Sequence, residues 1–209
     1  MWGRQAARVA AVSIIVLGLS GASSLLASQD NPRLDKLFAK LKTVKNSQKV
    51  ENVTAEIWSI WRYAGDPAVN WMMHESQRYM TAGELDSALG GYALIIDAAP
   101  DFAEGWHKRA TVHFLLGNYP ASIKDIKETV VLEPRHFGAL AGLGLIYLHL
   151  GQERAALKAL ERALEINPHL SGARQKVIEL REKLILGNRI LDRQELVTPL
   201  GHISARIPN

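Results

Sequence analysis

The chain has 209 residues, 47% of them hydrophobic and 22% charged, with a formal net charge of +4 and no cysteine. That apolar content suffices for one folded domain with a buried core. The lack of thiols excludes disulfides, thiolate metal sites, a cysteine nucleophile and an acyl-cysteine anchor.

The first segment, 1–27, has a short positive stretch with Arg4 and Arg8, an apolar run over 9–19, then Gly18, Ser20, Gly21, Ser23 and Ser24; the first acidic residue is Asp30. This order is that of a secretory signal peptide. Cleavage after Ala27, with Leu25 at −3, and after Ser24, with Ala22 at −3, both stay open. An uncleaved inner-membrane anchor is the alternative, although the strong apolar run is about half of the ~20 residues a spanning helix needs. A mitochondrial presequence ranks below both, because the apolar block is too compact for an amphipathic transit helix.

Next comes a helix pair, 32–66. Leu34, Leu37, Phe38 and Leu41 form one helical stripe, and Val53, Ile57, Trp58, Ile60 and Trp61 a second. Lys36, Lys40, Lys42, Lys45 and Lys49 read as a solvated helix face, too sparse for a nucleic-acid surface. The pair is expected to be a cap or a degenerate repeat, with Trp58, Trp61 and Trp71 packing against the unit that follows.

Three units then recur. Pro100, Pro134 and Pro168 stand 34 residues apart, and Gly83, Gly117 and Gly151 share that period. Small residues fall at Ser76, Ala110 and Gly144 and again at Ala88, Ser122 and Ala156, where antiparallel helices must approach closely. The glycines stop each first helix and the prolines end each second one. With segments GELDSALGGYALIIDAAP, GNYPASIKDIKETVVLEP and GQERAALKALERALEINP, the stretch 69–102, 103–136 and 137–170 resembles tetratricopeptide (TPR) repeats. The resemblance implies an all-α, right-handed α-solenoid of three helix hairpins, flanked by the N-terminal hairpin and a C-terminal capping helix. Arg109, Thr129 and Ile95 depart from the usual residue types, and a looser second unit is expected.

After Pro168, Ser171 is read as the cap of a solvating helix, 171–187, stopped by Gly187, with Val177, Leu180 and Leu184 on its inner face. The remainder, 188–209, lacks a sustained period and is expected to be a mobile tail, or to dock back into the groove.

Chemistry is sparse. Glu104 and His107 make one i,i+3 pair, whereas a di-metal bundle needs two such pairs and further carboxylates. His113 falls on an aromatic core position, and His136, His169 and His202 fall in turns or tail. No phosphate loop, nucleophile elbow or zinc signature occurs. The chain is therefore read as a non-enzyme with no cofactor and no metal. In TPR arrays the first helices line a concave groove, and the resemblance places there Asn70, Met73, His74 and Gln77, then Glu104, His107, Lys108 and Thr111, then Gly138, Ala141, Gly142 and Leu145. Met73 and Gln77 stand where the carboxylate clamp of chaperone-tail receptors needs Lys and Asn, so that ligand is set aside. The groove grades from polar to small and apolar.

The LDKLF start, the IW..W helix and the WHKRAT stretch are also similar to small exported TPR proteins of alphaproteobacteria. This implies a periplasmic adaptor for a protein or peptide, linked to cell-envelope integrity or assembly, with no nucleic-acid partner and membrane contact only through an uncleaved N-terminal segment. A permanent structural subunit of an envelope complex or homo-oligomer is the alternative, and an envelope enzyme ranks third. The sequence leaves oligomeric state open.

Overall fold

The computed structural model describes residues 28–197. The expected signal segment and the end of the tail lie outside them. The described residues are all-α: α1 (Arg33–Thr43), α2 (Ser47–Trp61), α3 (Pro67–Ala82), α4 (Leu85–Ala98), α5 (Ala103–Leu115), α6 (Tyr119–Leu132), α7 (Phe137–His149), α8 (Glu153–Ile166) and α9 (Ser171–Val197), preceded by a 3-10 turn at Ser28–Asp30. Among them no helix is long and apolar enough to cross a membrane.

Local chemistry sets the helix ends. The Asp66 carboxylate accepts from the Ala68 and Val69 amides at 2.7 and 3.1 Å, with Pro67 in the first turn of α3. Gly83, Gly117 and Gly151 adopt φ of +80°, +72° and +68°. This left-handed step turns the amide of the following residue back onto the carbonyls of Tyr79, His113 and Tyr147, at 2.8–2.9 Å. Before each unit-ending proline, Ala99, Glu133 and Asn167 leave the helical region, with φ between −142° and −122°.

Helices α3–α4, α5–α6 and α7–α8 form three stacked hairpins, with α9 laid on α8. Ser76, Ala110, Ala88, Ser122 and Ala156 are all buried at the crossings. The Ser122 hydroxyl donates to the Ala110 carbonyl at 2.7 Å. A Cβ on Gly144 would sit 2.6 Å from Leu160 Cδ2, so the third crossing admits only glycine without repacking.

Four expectations are corrected. The second unit is not loosened by Arg109: its guanidinium makes a two-pronged pair with the buried Asp125 carboxylate (2.7 and 2.9 Å) and lies over the Trp106 ring at 5.0 Å. Helix α9 does not stop at Gly187 but runs to Val197; one interior glycine costs about 1 kcal/mol, too little to end a helix already nucleated on α8. Its first turn closes from the Arg174 amide to the Leu170 carbonyl, so Ser171 lies inside the helix and is not its cap.

The fourth correction concerns the N-terminal hairpin. Helices α1 and α2 do not stack on α3 as a further repeat. Their core, built on Leu34, Phe38, Leu41, Ile57 and Trp61, closes over Phe137, Ile166 and Leu170. The hairpin thus lies along one edge of the array, across the turns that lead into α5, α7 and α9. Gln29 Nε2 donates to the Asp101 carbonyl (2.6 Å), Arg135 to Asp35 (2.6 Å) and His169 Nε2 to the Leu41 carbonyl (2.9 Å). Trp58 and Trp61 pack against the second and third units, not the first, and Trp71 is exposed.

Candidate functional site

The concave face of α5 and α7 carries two adjoining features: a polar cluster beneath the N-terminal hairpin, and an open apolar crevice.

The cluster centres on Glu104, in the first turn of α5 and 1% exposed. Its Oε2 accepts from His107 Nδ1 and His136 Nε2, both at 3.0 Å, while Lys108 Nζ lies 3.8 Å from its Oε1. His136, fully buried, precedes α7, and its Nδ1 accepts from the Ala139 amide at 3.0 Å as the cap of that helix. Trp61 stacks on the His136 ring (centroids 4.3 Å apart, planes 10°), and its indole N–H donates to Glu133 Oε2 at 3.4 Å. Trp58 stands edge-on to His136 and Phe137 and leans over His107. Burial by itself would raise the Glu104 carboxyl, but the His107 and His136 imidazoles overcome it and hold the group well below the usual carboxylate range. Burial pushes His136 down, and the neighbouring His107 pushes the same way against the pull of Glu104.

Glu104, His107 and His136 have ligand-type atoms within 4.8 Å of one another. Their protons argue against a cation. Because His136 Nδ1 accepts from a backbone amide, the ring proton resides on Nε2, which then offers no lone pair toward the centre. A metal-bound imidazole needs the reverse, with its outer nitrogen donating. The donor set does not fit a metal, and the trio is a hydrogen-bonded lock.

The crevice, of about 280 Å³, opens beside the cluster. His107, Thr111, Gly142 and Leu145 line it, joined by Ala110, Phe114, Leu115 and Ile146. An apolar cavity of ~150 Å³ takes a benzene ring, so this one has room for a large side chain. Nothing lies within 4 Å of where a Gly142 Cβ would be, and Leu115 and Leu145 are exposed at the rim.

Of the residues assigned to the groove, these four are the ones brought together at the crevice. Met73 is in the core of the first unit with Val69 and Tyr92, because its face of α3 turns onto α4. Glu104 is beneath the hairpin, and Gly138 is covered by Trp58, whose Cη2 would stand 2.6 Å from an added Cβ. Asn70 accepts from the Ala64 amide (2.8 Å) and fixes the turn before α3. His74 is exposed beside Glu75, Gln77 accepts from the Tyr92 hydroxyl at 3.5 Å, Ala141 is half-buried, and Lys108 faces Glu104. Phe114 and Leu115 were legible one helical turn beyond Thr111. His136 and Trp58 had no local signal.

Residues 138–170 match the family model described as tetratricopeptide repeat. Over 163 residues the chain is 37% identical to a TPR repeat-containing protein of Rhizobium etli, covering 78% of this chain and 79% of that one. Among solved structures, the first TPR of Spaghetti (RPAP3) bound to an HSP90 peptide aligns with a TM-score of 0.54 at 23% identity, covering 56% of this chain and 93% of that one. MamA aligns with a TM-score of 0.54 at 19% identity, covering 78% and 88%. At these identities the two structures speak for the fold alone.

Proposed function

This chain belongs to the tetratricopeptide repeat family, and from that premise we propose that it is a non-catalytic adaptor, exported to the periplasm, that holds an apolar segment of a protein or peptide partner and serves cell-envelope integrity or assembly. The observation that carries the binding reading is the open crevice between α5 and α7, rimmed by exposed Leu115 and Leu145. An apolar hollow framed by polar helix faces is what a docking side chain requires. Export is supported by the order of charge, apolar run and small residues in the first segment.

Gly142→Trp aims an indole at the crevice from a position with free space around its Cβ. A photo-crosslinker at Leu145 should capture a defined partner in the native envelope, and Gly142→Trp should weaken that partner's affinity at least tenfold, about 1.4 kcal/mol. Unchanged affinity in a folded variant removes the crevice from the function. A periplasm-active reporter fused after Ala27 tests location, and an inactive fusion overturns it.

A further inference from the structure

We infer that the α1–α2 hairpin is an acid-released cover on the base of the groove, held shut by neutral His136 between Glu104, the Ala139 amide and the face of Trp61. Both nitrogens of this ring are committed. Nε2 donates to Glu104 and Nδ1 accepts from Ala139, each at 3.0 Å. A second proton has to go onto Nδ1, where it would face the Ala139 N–H, donor against donor. The α7 cap is then broken, and a charge sits at full burial against an indole face.

Glu104 and Glu133 favour a charge on the ring, but both are shared with other donors, and burial outweighs them. From α5, Glu104 already serves His107 and His136, with Lys108 nearby. From the turn before α7, Glu133 is engaged by Arg135 through both oxygens, at 2.9 and 3.0 Å, and Arg135 also holds Asp35 of α1. Helix α2 brings only the indoles of Trp58 and Trp61. Undocking the hairpin admits water, which solvates the imidazolium.

The direction follows from linkage. Burial depresses the docked His136 below its ordinary value, while the undocked ring takes up a proton near pH 6.5. Docking is therefore at full strength above about pH 6.5 and weakens as pH falls, about tenfold per unit until the docked ring itself titrates. Glu104, held far below the usual carboxylate range, stays ionised across this window. Release lifts Trp58 off Gly138 and uncovers His107, which also lines the crevice, so the crevice extends toward the start of α7. That a partner uses the longer groove rests on the function proposed above; the release does not.

The test is amide hydrogen exchange of the full chain without partner at pH 7.5 and pH 5.5, as protection corrected for intrinsic exchange. Protection of α2 should fall about tenfold on acidification, relative to α8. His136→Asn supplies a carbonyl oxygen to the Ala139 amide but does not titrate, so its α2 protection should be independent of pH. His136→Ser is the second cap-preserving variant should the first misfold, and exposed His74→Asn should behave as the parent chain. Constant α2 protection in the parent chain, or an equal fall in a folded His136 variant, overturns the proposal. Partner binding enters neither outcome, so failure here is separable from failure of the adaptor reading.

Discussion

The molecule contains two kinds of helical hairpin, and they are held in place by opposite means. The repeated hairpins stack through small residues at their crossings, such as Ser76, Ala110 and Gly144, and each needs only its neighbour in sequence. The N-terminal hairpin is attached by large aromatics, Trp58 and Trp61, and by polar contacts to three turns far along the chain. Stacking sets a local, additive stability of the sort expected in solenoids. The edge-on hairpin ties three successive turns together and so couples units that would otherwise move independently. A hairpin without the repeat signature has no small-residue seam by which to stack, and it finds burial where the array offers aromatic and ring surfaces.

The strongest challenge to this contrast is Trp61→Ala. Trp61 is 1% exposed and bears on both the hairpin core and His136, so its loss should cost about 3–5 kcal/mol. Denaturant unfolding followed by far-UV circular dichroism should then resolve two transitions, an early one from the hairpin and a later one from the array. A single shifted transition would mean that hairpin and array are one cooperative unit. A smaller effect sharpens where the two regions meet. Gly138→Ala forces a Cβ toward the Trp58 ring and should cost about 1–3 kcal/mol. Adding Trp58→Ala should make the Gly138→Ala step nearly neutral, and a double-mutant cycle without coupling would show that the two do not press on each other. The smallest effect belongs to Gly142→Ala, four residues further along α7. Its Cβ meets open space, and replacing glycine in a helix interior should stabilise by about 0.5–1 kcal/mol in the same denaturation measurement. A loss of stability there would show that the open side of the groove is filled.

The repeats were legible because their determinants are local: a left-handed glycine, a proline and small residues at fixed offsets within one unit. The helices of the first hairpin were legible for the same reason, as apolar stripes. Its docking place was not, since its hydrogen-bond partners lie between 72 and 128 residues away and no period encodes them. Arg109 shows the same limit on a smaller scale. It read as a misfit in an apolar slot until Asp125, on the facing helix, was brought opposite it. In the site, His107, Thr111, Gly142 and Leu145 followed from repeat register, whereas the burial of Glu104 and the covering of Gly138 depended on a hairpin that the register does not describe.

The attachment of the hairpin across the later turns also sets a timetable. Each repeat can fold as soon as its own residues are available, but Asp35 waits for Arg135, 100 residues downstream. At synthesis rates of about 5–20 residues per second, that gap lasts on the order of 5–20 seconds. Throughout it the indoles that will face His136 have no array to cover them. Helices α1 and α2 thus emerge well before the turns that seat them, and over that interval their aromatic surface is open to water.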